Sequence, residues 1–130
     1  AEMLLLGTFY TESTVAGRTR LKQVGGPALG GYQMEPATHD DIWENWLVYH
    51  QAAKTAIEGL MTAQRPLEQL VTNLAYATAM CRIHYRRVPH PLPSASDYAG
   101  LAKYWKLWYN SHLGAGVEAH FTKTLYMVGE

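Results

Sequence analysis

The sequence has little of three things that often reveal a protein's surroundings: cysteine, unbalanced charge and long hydrophobic runs. Its single cysteine, Cys81, cannot form an internal disulfide, so the fold depends on packing and needs no oxidising compartment. Eleven basic residues balance eleven acidic ones. Net charge therefore gives no reason to expect a nucleic acid or an anionic membrane as a partner.

The apolar run from Met3 to Leu6 is far too short to cross a bilayer, and no signal peptide is recognisable around it. We therefore expect no membrane span. Because Ala1-Glu2 leads almost directly into this run, we expect the chain to be a piece of a longer protein. Its 130 residues are enough for one compact core, and we predict a single domain over residues 1–130.

Apolar residues recur every three to four positions along most of the chain, which predicts a mainly α fold. The predicted helices cover residues 2–11, 38–49, 51–63, 66–85, 96–110 and 117–127. The first should bury Met3, Leu4, Leu6 and Tyr10. Five glycines and a proline between residues 13 and 31 predict a long loop or a small hairpin. The glycines of 114–116 predict a break before the last helix.

Polar residues mark the expected helix starts. Thr38 is the predicted N-cap of the second helix, with Asp41 as its capping-box partner. Ser96 is the predicted N-cap of the helix that ends near residue 110, and Asp97 supports its first turn.

The candidate for chemistry is the carboxyl group of Glu12, which follows the apolar side chains of Leu5, Leu6, Phe9 and Tyr10. Cleavage of a glycosidic bond requires an acid that protonates the departing oxygen. A carboxyl group keeps its proton near neutral pH only if burial raises its pKa. Glu12 is therefore a candidate proton donor, provided that these neighbours form an apolar wall around it.

A second candidate segment has the residue types that bind sugars. Gly30 and Gly31 let the backbone approach a ligand closely, while Tyr32 offers a flat face and Gln33 an amide. The segment continues into the start of a predicted helix, so a glycine turn would hold these groups in place. We interpret it as part of a sugar-binding cleft.

These segments resemble the signatures of a known family. They are Glu12-Ser13 and Gly30-Gly31-Tyr32-Gln33-Met34-Glu35-Pro36-Ala37-Thr38. They look like the Glu-Ser and Gly-x-x-Gln-x-x-Pro-Ala-Thr motifs of lytic transglycosylases with the goose-type lysozyme fold, in particular phage-encoded wall-degrading domains. Tyr109-Asn110 is similar to the family's third, Tyr-Asn motif, which lines the cleft. The resemblance covers roughly the first third of the chain and residues 104–116.

The resemblance implies a lysozyme-like single domain with a long glycine-rich active-site loop or small hairpin. It implies cleavage of the bond between N-acetylmuramic acid and N-acetylglucosamine in peptidoglycan. Glu12 would act first as acid and then as base on the C6 hydroxyl, which closes on C1 to give a 1,6-anhydro end. The substrate-binding residues would be Ser13, Gly30, Gly31, Tyr32, Gln33, Tyr109 and Asn110.

On this reading we expect no cofactor and no metal, because the six histidines lack metal-ligand spacing. The partner would be the glycan strand of the bacterial wall, in the periplasm or at a virion, and the protein would act as a monomer. Three positions depart from the family pattern. A bulkier residue usually stands where Gly31 does, and smaller residues are expected where Phe9 and Tyr10 stand.

Three alternatives remain open. Hydrolysis by water would need a second carboxylate, for which Glu35, Asp40 and Asp41 are nearest in sequence, although helix capping also explains both aspartates. A sugar-binding module could keep the fold without turnover. The basic and aromatic residues between Arg82 and Arg87 could face a nucleic acid, but cations also stabilise a helix C-terminus.

Overall fold

The computed structural model describes residues 1–15, 18–19, 26–110 and 117–128. It is mainly helical, which confirms the predicted class. The helices are α1 (Glu2–Ser13), α2 (Pro36–Asn45), a 3-10 helix (Leu47–Tyr49), α3 (Gln51–Leu60), α4 (Gln69–Thr72), α5 (Leu74–Arg86), α6 (Tyr98–Trp108) and α7 (Glu118–Val128).

A two-residue antiparallel pair, β1 (Thr14–Val15) and β2 (Arg18–Thr19), follows α1 directly. It occupies the start of the stretch for which a loop or small hairpin was predicted. Residues 20–25 of that stretch and the predicted break at 114–116 lie outside the described residues. None of the described helices is both long and apolar enough to cross a lipid bilayer.

Helix α1 buries a different face from the one predicted. Leu4 is buried as expected, but Leu6 and Tyr10 are 41% and 43% exposed. The buried positions of α1 are Leu4, Gly7, Thr8, Thr11 and Ser13. Gly7 lets α7 approach closely, since a Cβ atom there would be 2.5 Å from the ring of Phe121. Small and hydroxyl-bearing residues form this face, so hydrophobic periodicity does not reveal it.

The predicted cap of α2 was wrong. The helix begins at Pro36, two residues before Thr38, because the fixed φ of proline suits the first helical position. Asp41 is therefore not a capping-box partner. Its carboxylate accepts hydrogen bonds from Asn45 at 2.6 Å and from Arg87 at 2.7 Å.

Two other helix starts also differ from the prediction. The helix expected over residues 66–85 is divided into α4 and α5 at Asn73, whose side chain accepts a hydrogen bond from the Tyr76 N–H at 3.1 Å. Asp97, rather than Ser96, caps α6 and accepts from the Gly100 N–H at 3.0 Å. In both places the carboxamide or carboxylate oxygen satisfies a free N–H of the first turn.

The buried apolar residues form two clusters. The first, here called the acid-side core, comprises Leu4, Tyr32, Ala77, Cys81, Tyr85, Leu101, Ala102, Tyr104, Trp105, Phe121 and Leu125. The second, the far core, comprises Met34, Ile42, Leu47, Ile57, Leu70, Tyr76, Met80 and Ile83. Helix α5 gives one face to each cluster, so it is the central element that the long amphipathic period predicted.

Candidate active site

Glu12 lies in the last turn of α1, against the C-terminal end of α6. Its Oε1 atom accepts hydrogen bonds from Trp105 Nε1 at 3.1 Å and from Asn110 Nδ2 at 3.2 Å. Burial raises the pKa of Glu12, while the two hydrogen bonds and the charge of Lys106 act in the opposite direction. Glu12 is thus an acid that keeps its proton to a higher pH than an exposed glutamate does.

A tight turn places the second candidate segment. Leu29 and Met34 exchange backbone hydrogen bonds of 2.9 and 3.0 Å, and the Gln33 N–H donates to the Gly30 carbonyl. Gly30 has a φ of 79°, and a Cβ atom there would lie 2.0 Å from the carbonyl oxygen of Leu70. Only glycine fits this position, because it tolerates both the left-handed backbone and the close approach.

Gln33 does not extend freely from this turn. Its own φ is 50°, also in the left-handed region, and its Nε2 atom donates to the Gly30 carbonyl oxygen at 2.8 Å. The amide group therefore stabilises the turn on which it lies. A ligand that uses the amide nitrogen has to compete with this contact.

Two of the residues that depart from the resembled motifs, Phe9 and Gly31, compensate each other. A Cβ atom on Gly31 would lie 2.0 Å from Cε2 of Phe9. The Phe9 ring thus fills the volume that a larger residue 31 would occupy. It also packs edge-on against Tyr32, with ring centroids 5.2 Å apart. The bulk needed behind the turn comes from α1 instead of from the turn itself.

Tyr32 is the one aromatic residue that was expected to face a cleft. Its side chain is only 6% exposed, and its hydroxyl shares a 2.9 Å hydrogen bond with Thr78 on α5. It forms part of the wall of a shallow groove of about 440 Å³ along α1. The groove is lined by Glu2, Leu5, Leu6, Phe9, Tyr10, Tyr32, Leu74 and Thr78.

The Tyr-Asn pair after α6 reaches both other segments. Tyr109 donates a 2.5 Å hydrogen bond to the carbonyl oxygen of Tyr32, and its ring stacks on Tyr85. Burial raises the pKa of Tyr109 well above its usual value, so the hydroxyl remains a donor. Tyr109 therefore fastens the glycine turn, while Asn110 contacts Glu12.

Ser13 is placed differently from a ligand-binding residue at a surface. It is fully buried, and its hydroxyl has no hydrogen-bond partner among the described residues. The hydroxyl of Thr11 on the same helix is also without one. Such unpartnered buried hydroxyls are uncommon and cost stability.

Sequence reasoning missed two residues of the site, Trp105 and Lys106. Trp105 is fully buried in α6, where its indole N–H needs an acceptor and finds it in Glu12. Lys106 donates from Nζ to Asn110 Oδ1 at 3.0 Å. The four-residue spacing from Lys106 to Asn110 is the signal that could have identified this contact.

The candidates for a second carboxylate have other partners or lie exposed. Asp40 is 3.0 Å from Nδ1 of His39, and Asp41 binds Arg87 and Asn45. Glu35 is exposed where α2 begins. Among the described residues, Lys106 is the only charged side chain that shifts the pKa of Glu12.

The residues between Arg82 and Arg87 do not form one basic surface. Tyr85 is buried in the acid-side core. Burial and the charge of Arg87 lower the pKa of His84 to about 4, so it is neutral at pH 7. Arg87 itself pairs with Asp41.

Tyr109 and Asn110 thus link three segments that are far apart in the sequence: Tyr109 contacts the turn of residues 30–33, and Asn110 contacts Glu12 at the end of α1. No protein-family model matches the chain, and no curated protein or solved structure is significantly similar to it. Its function therefore has to be inferred from the chemistry of this site.

Proposed function

We propose that the protein is a peptidoglycan-degrading glycosidase of the lytic transglycosylase type, with Glu12 as general acid and base. The bond cleaved is the β-1,4 bond between N-acetylmuramic acid and N-acetylglucosamine. One observation carries the proposal: Asn110 contacts the candidate acid while its neighbour Tyr109 holds the glycine turn. This brings together the three segments that resemble the family's motifs.

The chemistry needs one carboxyl group that changes its protonation state twice. Protonated Glu12 gives its proton to the bridging oxygen as the bond to C1 of the muramic acid breaks. The carboxylate that remains is stabilised by the N–H groups of Trp105 and Asn110. It then takes the proton of the C6 hydroxyl, whose oxygen bonds to C1 and closes the 1,6-anhydro ring. No water is consumed, and Glu12 ends protonated as it began.

The surroundings of Glu12 favour ring closure over hydrolysis. A hydrolase usually directs a second carboxylate at a water or at C1. Among the described residues, the aspartates nearest to Glu12 in sequence are engaged with His39 and Arg87. We regard a muramidase that uses water as the alternative for the same bond.

The proposal includes a lysozyme-like fold and the bacterial cell wall as the place of action, in the periplasm or at a virion. The mainly helical structure and the small hairpin directly after Glu12 support such a fold. We further propose that the protein acts as a monomer on glycan strands.

A sugar-binding module without turnover is a second candidate. The contact of the Gln33 amide with its own turn favours it, because a group predicted to bind substrate already has a partner. The burial of the Ser13 hydroxyl points in the same direction. Both observations are compatible with a site that holds glycan but no longer cleaves it.

The test is release of soluble muropeptides from purified peptidoglycan by wild type, Glu12→Gln and Glu68→Gln. Glu68 is an exposed glutamate outside the site, so its variant controls for the loss of one carboxylate. We expect Glu12→Gln to lose at least about 100-fold in rate and to keep its binding to the wall. Mass analysis of the products should find sugar ends that lack one water.

Equal release by the two variants would show that Glu12 is not the acid. Products with ordinary reducing ends would identify a muramidase. If wild type binds the wall and releases nothing, the sugar-binding module is the correct reading. If it does neither, peptidoglycan is not the ligand.

A further inference from the structure

The side-chain amide of Asn110 lies between a cation and the candidate acid. Its Oδ1 atom accepts from Lys106 Nζ at 3.0 Å, and its Nδ2 atom donates to Glu12 Oε1 at 3.2 Å. Lys106 lies four residues before Asn110, so the two side chains meet on one face at the end of α6.

Lys106 leaves the amide only one orientation. An ammonium group is a donor and never an acceptor, so it has to meet the oxygen of Asn110. If the amide were flipped, its NH₂ group would face the ammonium and its oxygen would face the carboxylate of Glu12. Both contacts would then be repulsive. Lys106 therefore holds the NH₂ group towards Glu12 whether or not Glu12 is protonated.

The fixed orientation of the Asn110 amide determines which oxygen of the Glu12 carboxyl group can carry the proton. Oε1 already accepts the N–H groups of Trp105 and Asn110, which occupy its two lone pairs. Both hydrogen bonds that the described residues make to the Glu12 carboxyl group end on Oε1 and none on Oε2. When Glu12 is protonated, Oε2 is therefore the atom that can carry the proton without losing a hydrogen bond.

We propose that Lys106 is a positioning residue that locks the Asn110 amide and so confines the acid proton of Glu12 to Oε2. The inference rests on the proposed function in one respect: Oε2 is then the atom that protonates the glycosidic oxygen and later accepts the proton of the C6 hydroxyl. Oε1 remains bonded to the two N–H donors throughout. Lys106 acts through Asn110 and touches no substrate.

Three other titratable groups of the described part of the chain interact with Glu12, and none of them is charged in the range where Glu12 titrates. Cys81 and Tyr85 face it from α5, and Tyr109 faces it from the end of α6. Burial raises the pKa of each of the three well above its usual value, so all are neutral. Among the described residues, Lys106 is then the one charged neighbour.

The test follows the Glu12 carboxyl carbon by NMR as the pH is changed, in wild type, Lys106→Met and Lys103→Met. Lys103 is an exposed lysine of the same helix, so the control removes the same charge one turn away. We expect an upward shift of the Glu12 midpoint in Lys106→Met only. The side-chain NH₂ protons of Asn110 should exchange faster with water in that variant, because the amide is no longer locked.

A second pair of variants separates the lock from simple charge attraction. In an Asn110→Ala background, Lys106→Met should shift the Glu12 midpoint less than it does in wild type, because the direct charge effect of Lys106 remains and the part transmitted by the amide is absent. Equal shifts in the two backgrounds would overturn the inference, and so would a Lys106→Met midpoint that coincides with that of Lys103→Met. Lys106→Arg should restore the wild-type midpoint, since guanidinium also only donates.

Titration requires no substrate, so this inference and the proposed function can fail separately. If the Glu12 midpoint shifts but no muropeptides are released, the inference about Lys106 and Asn110 holds and the proposed glycosidase function is wrong. With release present, the pH–rate profile of Lys106→Met should move in the same direction as the Glu12 midpoint. A change in thermal stability alone, with an unmoved midpoint and unmoved profile, would reduce Lys106 to a structural residue and overturn the inference.

Discussion

The far core and the end of α1 differ in how their buried hydroxyl groups are partnered. In the far core, the Tyr76 hydroxyl is bonded to both His39 and Trp43. Near the acid, the hydroxyls of Thr11 and Ser13 have no partner among the described residues, and burial raises the pKa of Glu12. Polar groups held at a cost to stability are typical of functional sites. This difference supports our placing of the proposed chemistry at the end of α1, with the far core serving the fold.

The largest effect is expected where the two cores meet, at Gly30. Gly30→Ala should cost at least about 3 kcal/mol of unfolding free energy, because a Cβ atom would strike the Leu70 carbonyl in a left-handed backbone. Gly59→Ala in α3 is the control, since no atom lies within 4 Å of its Cβ position. It should gain up to about 1 kcal/mol. Urea denaturation measures both, and equal effects would show that the turn does not rest on the far core.

The difference between partnered and unpartnered buried polar groups can be tested by removing one group of each kind. Gln69 makes hydrogen bonds with Thr62, Gln64 and Asn73. Gln69→Met should therefore cost about 3 kcal/mol, because the fully buried side chain loses four hydrogen bonds.

Thr11→Val removes a hydroxyl that has no described partner and should be neutral or stabilise by about 1 kcal/mol. The same denaturation experiment measures the two variants. Similar losses in both would erase the distinction between the two kinds of buried group.

A third prediction concerns pH. The folded-state pKa of His84 is about 4, below its usual 6.5. Between pH 6.5 and pH 4, His84 is therefore protonated in the unfolded chain and neutral in the folded one. The stability present above pH 6.5 should decrease, and His84 should account for about 2 kcal/mol of the loss by pH 5. Denaturation of wild type and His84→Asn between pH 7 and pH 5 measures the difference. Parallel pH slopes in the two proteins would contradict the prediction.

A smaller effect, with the opposite pH dependence, is expected for Glu12→Gln. A raised pKa means that the folded state disfavours the ionised carboxyl, so stability falls as the pH rises through the folded pKa of Glu12. An uncharged glutamine avoids this loss and can still accept both N–H donors. At pH 7 the variant should be more stable by about 0.5–2 kcal/mol, and the gain should disappear in acid. A variant less stable than wild type at pH 7 would place Glu12 among the structural residues.

Most of the helical structure could be predicted because apolar periodicity survives in the sequence. The ranges of α3, α6 and α7 differ from the prediction by a few residues. The helix starts were less predictable, since Pro36, Asn73 and Asp97 begin helices where other residues looked equally suitable. The choice among neighbouring caps depends on which backbone N–H remains free after packing, and the sequence does not contain that information.

The site could be predicted only in outline. Its apolar neighbours singled out Glu12, and the family resemblance pointed to Tyr109 and Asn110. The contacts that join these segments span 77 and 98 positions of the chain, which no local pattern reveals. The sequence alone did not assign Lys106 and Trp105 to the candidate site, because lysines near helix ends and buried tryptophans are common in proteins. Their roles appear only when the end of α6 lies against the end of α1.

The exchange of volume between Phe9 and Gly31 has an evolutionary consequence. Because the Phe9 ring fills the space beside Gly31, a smaller residue 9 alone would leave a cavity. A larger residue 31 alone would clash with the ring. Relatives with a large residue at the position of Gly31 should carry a small one at the position of Phe9. The two sites should vary as a linked pair, so a profile that scores each column independently would rank such relatives as more distant than they are.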